Sequence, residues 1–278
     1  MGSEILKDPG VFLSELEKTL SNPVKPEKGE RLKVGLDLGT ASIVLVVLGE
    51  DDRPLAVARE FAGVVKDGLV VDFSEARSIT ARLKRSLEEA LDVELSQTAI
   101  AVPPGTSERD VATHGYVASG AGLEVTTVMD EPSAANLVLG LRNGAIVDIG
   151  GGTTGVAVLQ NGEVIHTFDE ATGGTHVSLV LAGHNGISFD EAEKLKQDPA
   201  RSRQNLPVIA PVFQKMGTII RRGLTGFAVE EIHLVGGTAA TIGIERIIAL
   251  ETKCKVTVSA VPILVTPAGI ALSFKPAI

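Results

Sequence analysis

The residues best suited to chemistry form a phrase that occurs twice: Val34-Gly35-Leu36-Asp37-Leu38-Gly39-Thr40, and Val147-Asp148-Ile149-Gly150-Gly151-Gly152-Thr153-Thr154. Each is an apolar run that ends in Asp and passes through Gly and Thr into a second apolar run, Ile43 to Leu48 in the first and Val156 to Leu159 in the second. The pattern predicts a β-hairpin whose tight turn carries bare backbone amides. Glycine lets a phosphate come close to the backbone, Thr adds a hydroxyl donor, and Asp at the strand end can hold a hydrated cation. Two such turns facing each other would grip a polyphosphate from both sides.

One Asp-x-Gly-Thr is weak evidence, because strands that run into Gly turns are common in α/β proteins. The repeat is stronger, since its two copies lie far enough apart to open two domain-sized units. A third glycine pair, in Ile232-His233-Leu234-Val235-Gly236-Gly237-Thr238, again follows a strand. Alone it reads as an ordinary βα turn; beside the other two it reads as the nucleoside-binding turn.

Around these turns, strands read at 33–38, 43–49 and 54–62, followed by a hairpin through Lys66-Asp67-Gly68. A helix follows from Ser74, with Ile79, Leu83, Leu87 and Leu91 at helical spacing. Next come a strand at 98–102, a helix at 108–120, a strand at 125–129 and a helix opening at Pro132. The second half repeats the opening with strands at 145–149, 155–160 and 163–168, and Gly173-Gly174-Thr175 then starts a helix. Ser188 and Glu191 form a capping box, and Pro207 is read as the start of a longer helix with Ile209, Val212, Phe213, Met216, Ile220 and Leu224 inward. The run from Thr266 to Phe274 is apolar enough for a buried helix. Ahead of all this, Val11 to Leu20 puts Phe12, Leu13, Leu16 and Leu20 on one helical face, and Asn22 to Gly29 reads as a linker.

Composition narrows the function. The 278 residues can bury a large core. A net charge of −9 and only 3% aromatic residues argue against nucleic-acid binding. The one cysteine, Cys254, cannot form an internal disulfide, which fits a reducing cytoplasm. No apolar run reaches the roughly 18 residues of a membrane span, and no signal-peptide pattern opens the chain. His114, His166, His176, His184 and His233 lack the spacing of a zinc site.

The order GLDLGT (35–40), DEPSAANLVLGL (130–141), VDIGGGTTG (147–155), LVGGT (234–238) and TPAGIAL (266–272) resembles the five-segment ATP-site pattern of actin, sugar kinases and DnaK-type chaperones. The phrases VVKDGLVVDF (64–73), VPPGT (102–106), AGLEV (121–125) and DEATGGTHVSLVLAG (169–183) more narrowly resemble the EutJ family of ethanolamine-utilisation operons. This resemblance implies an α/β, two-lobed actin-like ATPase fold of duplicated ribonuclease H-like lobes with mixed sheets and reduced subdomains. Residues 1–31 would be an N-terminal helix and linker. Residues 32–143 with 264–278 would form the first lobe, and 144–263 the second, with a small helical subdomain near 186–226.

It further implies ATP and Mg²⁺. Gly39, Thr40 and Ala41 on one side, and Gly150, Gly151, Gly152, Thr153 and Thr154 on the other, would cradle the phosphates, leaving Asp37 and Asp148 to hold Mg²⁺ through its waters. Glu131 takes the place of the carboxylate that orients the attacking water. Gly173 and Gly174 would face ribose and phosphates, Gly236, Gly237 and Thr238 the nucleoside, and Lys215 with Met216 the purine. The chain departs from the chaperone pattern at Gly155, where those relatives carry Asp, and it lacks a counterpart of their catalytic Lys; Lys66 sits nearby in a turn context. Binding should therefore survive better than hydrolysis.

The expected role is a nucleotide-dependent, chaperone-like assembly or maintenance factor acting on a client of the ethanolamine pathway or a microcompartment shell, in the cytoplasm and with oligomerisation open. An actin-like polymer is the alternative, and a small-molecule kinase a third. The helix at 11–20 would either pack on its own domain or dock to the shell.

Overall fold

Both repeated phrases fold as antiparallel hairpins in the computed structural model, which describes residues 8–66, 69–198 and 200–277. The described chain divides into two compact units. One comprises the residues up to Leu141 together with those from Leu264 onward, and the other is Arg142–Ile263.

The first unit begins with helix α1 (Pro9–Lys18), followed by β1 (Lys33–Leu38), β2 (Ser42–Leu48), β3 (Pro54–Phe61), the short β4 (Val65–Lys66) and β5 (Leu69–Val70), α2 (Phe73–Leu91), β6 (Gln97–Val102), α3 (Glu108–Gly120), β7 (Glu124–Asp130) and α4 (Glu131–Leu139). Its main sheet has the order β3-β2-β1-β6-β7, antiparallel on the β3 side and parallel from β1 to β7. Every residue of β2 is buried, as its unbroken apolar run requires of a strand covered on both faces. On one face Leu36, Leu45 and Ile100 pack with Ile79, Leu87 and Leu91 of α2 and Val117 of α3. On the other, Ala99 and Ala101 meet Ala134 of α4 and an isoleucine from the far end of the chain, Ile270.

That isoleucine belongs to a helix, Val265–Ser273, which follows the whole second unit in sequence yet packs in the first. Two glycines let it lie in backbone contact. A Cβ on Gly35 would sit 2.7 Å from Ala271 Cα, and one on Gly269 would overlap the Ala134 carbonyl. Small residues at both points bring helix, strand and α4 closer than any side chain would permit.

Helix α1 is capped by Asp8, which accepts from Gly10 N–H at 2.9 Å and Val11 N–H at 3.1 Å. It stops at Lys18, before the expected Leu20, because the Thr19 hydroxyl turns back to the Leu16 carbonyl at 2.7 Å. Leu20 is accordingly exposed, whereas Phe12, Leu13 and Leu16 are buried where α1 meets β3. Of the two readings of this helix, the structure has it packed on its own unit, with Phe12, Leu13 and Leu16 turned inward. The linker is fastened as well. Val24 N–H donates to Leu55 O at 2.8 Å, and Glu30 makes two bonds to Arg53 at 2.6 and 2.7 Å. Val65 pairs with Val70 and Lys66 with Leu69, while Asp67 and Gly68 of the expected turn lie outside the described residues.

The second unit contains β8 (Gly144–Ile149), β9 (Thr154–Gln160), β10 (Glu163–Glu170), α5 (Gly174–Asn185), α6 (Phe189–Gln197), α7 (Ser202–Gly223), β11 (Glu231–Val235), α8 (Ile244–Thr252) and β12 (Lys255–Val258), and the returning helix above is α9. Its sheet order, β10-β9-β8-β11-β12, repeats that of the first unit. Val147, Val158 and Ile232 share one core with Leu181 of α5, Ala192 of α6, Phe213 and Ile220 of α7 and Ile248 of α8. Helix α7 starts at Ser202, five residues before the expected Pro207. Pro207 and Pro211 are both exposed, one helical turn apart, so the missing N–H groups fall on the solvent side, where a helix tolerates them best. Among the described residues no helix is long and apolar enough to cross a membrane.

Candidate functional site

In the first unit the hairpin closes at the pair Leu38–Ile43, leaving Gly39, Thr40, Ala41 and Ser42 as its turn and Asp37 one residue inside the strand. A Cβ on Gly39 would lie 3.0 Å from the Ser42 carbonyl oxygen and 3.9 Å from Asp37 Oδ2, so the carboxylate lies against the turn. Among the described residues no turn or loop hydrogen bond uses the N–H of Gly39, Thr40 or Ala41 as donor. Glu131 opens α4, whose N-cap Asp130 accepts from Ser133 N–H at 2.9 Å. Strands β1, β6 and β7 run parallel, with Val102 paired to Asp130. The 39–42 turn and Glu131 thus emerge from the same, carboxyl-terminal edge of one sheet, which is where open α/β sheets bind ligands.

In the second unit three loops are tied at a single carbonyl. The Gly150–Thr153 turn closes the pair Ile149–Thr154, with Gly150 N–H donating to Thr153 O at 3.1 Å. The Gly150 carbonyl accepts from Gly174 N–H at 2.9 Å and from the Thr238 hydroxyl at 2.8 Å. The next carbonyl, of Gly151, accepts the Thr175 N–H at 2.8 Å and its hydroxyl at 2.9 Å. Buried Thr154 donates to Thr172 O at 2.6 Å. With its carbonyls turned toward α5 and the 237–240 turn, the loop keeps the N–H groups of Gly151, Gly152 and Thr153 out of every described turn or loop hydrogen bond. Glycine is required at the tie points. A Cβ on Gly173 would lie 2.7 Å from Gly151 O and Thr153 N, and one on Gly174 would strike the Thr238 hydroxyl. Successive glycine-turn amides left out of such bonds can form an anion-binding concavity, whereas the first amides of α5 are spent on the Gly150, Gly151 and Gly173 carbonyls.

Asp148, paired with Val235 of β11, stands at the same sheet edge beneath Gly236, whose φ is +87°. Asp37 and Asp148 each therefore sit one residue before the strand end that leads into a glycine turn. Among the described residues no three His, Cys, Asp or Glu come together to bind a bare metal ion. The donor set fits hydrated Mg²⁺, which gives up its waters reluctantly.

Lys196 is a residue the sequence reading missed. Its side chain is only 14% exposed, and its ammonium donates to Glu193 Oε1 at 2.7 Å and to Gly174 O at 3.3 Å. The Ser178 hydroxyl also donates to Glu193, completing a bridge from α6 to the start of α5. The i, i+3 pair Glu193–Lys196 was visible as a charge pair; its place beside the glycine turn depends on how α6 packs. The expected purine wall is corrected in part: Met216 is fully buried in the second unit's core and offers no surface to a ligand, while Lys215 is on the exposed face of α7. The alternation of inward and outward faces along one helix prevents both neighbours from lining a site.

Comparison with known proteins fits this geometry. The ethanolamine utilization protein EutJ of Escherichia coli (strain K12) is 40% identical over 229 residues, covering 82% of this chain and 81% of that protein. The crystal structure of ethanolamine utilization protein EutJ from Carboxydothermus hydrogenoformans superposes with a TM-score of 0.90 at 45% identity, covering 96% of this chain and 98% of that one. MreB5 of Spiroplasma citri bound to AMPPNP gives a TM-score of 0.69 at 17% identity over 89% of this chain and 96% of that one, a likeness of fold. Two family models match in part: type IV pilus assembly protein PilM over residues 141–263, and MreB/Mbl protein over 60–182. The chain has the actin-like ATPase fold and belongs to the family of the ethanolamine utilization protein EutJ.

Proposed function

We propose that this protein binds Mg–ATP at its glycine turns and serves ethanolamine utilisation as a nucleotide-dependent, chaperone-like factor that assembles or maintains a client of that pathway or its microcompartment. The observation that carries the reading is the Gly150 carbonyl, which gathers the Gly174 amide and the Thr238 hydroxyl and so leaves the turn's own amides for an anion. The amides of Gly39, Thr40 and Ala41 in the first unit, and of Gly151, Gly152 and Thr153 in the second, offer donors to phosphate oxygens, while the Gly150 N–H and the Thr154 hydroxyl hold the second turn in shape. Gly173 and Gly174 face the ribose and phosphates, with the Lys196 ammonium beside Gly174, and Gly236, Gly237 and Thr238 face the nucleoside. Asp37 and Asp148 hold the waters of Mg²⁺, which when bound neutralises phosphate charge, and Glu131 at the start of α4 orients water. The names of the E. coli and C. hydrogenoformans relatives support the pathway.

Thermal melting tests the reading. Mg–ATP at about 100 times its dissociation constant adds roughly 2.7 kcal/mol of stability. No shift at millimolar nucleotide refutes it. Sedimentation in the same buffer separates the client-directed role from nucleotide-driven polymer formation: the proposed protein stays in the supernatant.

A further inference from the structure

The three strands β8, β9 and β10 place Asp148, Gly155 and Asp169 in one row. Asp148 pairs with Gly155, and Gly155 pairs with Asp169. Directly paired residues of antiparallel strands project to the same face, so two carboxylates flank a position that has no side chain. A Cβ on Gly155 would lie 3.0 Å from Asp169 Oδ1 and 3.7 Å from its Cγ, which means that Asp169 leans inward over the glycine. The row sits at the end of the sheet from which the Gly150–Thr153 turn springs.

With strands ~4.8 Å apart, the two aspartate backbones are about 10 Å from each other. That spacing, with no third His, Cys, Asp or Glu joining the pair among the described residues, leaves most of an ion's oxygen ligands to water. It suits an octahedral Mg²⁺ that keeps its waters, with metal–oxygen distances of about 2.1 Å and carboxylates outside them. The Asp169 side chain makes no hydrogen bond or ion pair among the described residues, and desolvation by its surroundings pushes its carboxyl above the usual range even though the residue reaches solvent. A cation beside it would relieve that cost. The glycine between the aspartates leaves room for the Asp169 carboxylate to lean inward.

We propose that Asp169 is a second anchor for the hydrated Mg²⁺ of a bound Mg–nucleotide, acting opposite Asp148 across the open surface of Gly155. Asp169 is a positioning residue: it touches the ion's waters and makes nucleotide affinity depend on the metal. The inference rests on the nucleotide reading given above, and the test separates the two.

The experiment titrates ATP into the full chain by calorimetry, once with excess Mg²⁺ and once with EDTA, for the unchanged protein and for Asp169→Asn. The substitution preserves shape at a position that reaches solvent. Asp169→Asn is expected to lose about tenfold in affinity with Mg²⁺ and to match the parent in EDTA. A variant that keeps the full Mg²⁺ preference, or that weakens equally in both buffers, overturns the role of Asp169 while leaving nucleotide binding intact. If the unchanged protein binds ATP in neither buffer, the parent reading fails and this one with it.

Discussion

Gly236 and Asp148 exclude any side chain between them. At φ +87° the Cβ that Gly236 lacks would fall on Asp148 Oδ1, with the Ile149 carbonyl oxygen only 2.7 Å away. The loop after β11 thus folds directly over the strand end that carries the aspartate, holding its carboxylate at the sheet edge. Gly236→Ala combines left-handed strain with a clash against backbone, and is expected to destabilise the protein by about 2–4 kcal/mol and to abolish the nucleotide-induced shift in melting temperature. Urea unfolding and melting with Mg–ATP measure both. A variant as stable and as responsive as the parent would show that the loop can move aside freely.

Lys196 ties α6 to Gly174 at the start of α5. Lys196→Met keeps the side chain's length and removes its charge, leaving Glu193 bonded to Ser178 alone. ATP affinity should fall about tenfold or more, since a charge-assisted contact near the phosphates is lost. Calorimetric titration at two salt concentrations checks this, and the difference between parent and variant should narrow as salt rises.

The linker clasp makes stability depend on acid. The Arg53 guanidinium, with help from the Glu27 and Glu50 amides, holds the Glu30 carboxyl below its ordinary value of 4.5. Because the folded value is depressed, the stabilisation is fully present above the unfolded value and disappears as pH falls through the folded one. Glu30→Gln should melt about 3 °C lower at pH 7. The gap should close below the ordinary carboxylate range. A gap that stays constant from pH 7 to pH 3 would assign the effect to packing.

Turnover by the protein alone should be slow, on the order of 10⁻³ s⁻¹ or less. In the proposed function Asp37, Glu131 and Asp148 place a hydrated ion and water, yet Gly155 brings no charge of its own. Positioning without that charge leaves the transition state short of electrostatic stabilisation. Single-turnover hydrolysis beside a Glu131→Gln control decides the matter. Brisk hydrolysis lost in the control would identify a self-sufficient ATPase.

The glycine turns and their flanking strands could be read from sequence because local chemistry marks them: a largely buried apolar strand carries Asp one residue before its end, and Gly and Thr then supply the turn. The helix at Glu108–Gly120 was equally legible, since Ser107 caps its start through the Asp110 amide. Two kinds of feature were not. The start of α7 was misplaced because a proline read as a first-turn residue in fact stands on the exposed side of a longer helix, a distinction that only burial reveals. Met216 and Lys196 were misjudged or missed because their roles depend on which helix face meets the core and on where α6 is carried. The Asp169–Gly155 relationship needed a strand register spanning two hairpins, which periodicity alone does not supply.

Helix α9 has a consequence for the order of assembly during synthesis. Its backbone contacts at Gly35 and Ala134 complete the first unit, yet the ribosome makes it after the entire second unit. The second unit is contiguous in the chain and can close its core as soon as it emerges. The first, although translated earlier, must wait on the order of ten seconds for its missing helix at ordinary elongation rates. During that interval the groove between β1 and α4 is an unfilled apolar slot on the nascent chain, and the half of the molecule that is born first is the half that finishes last.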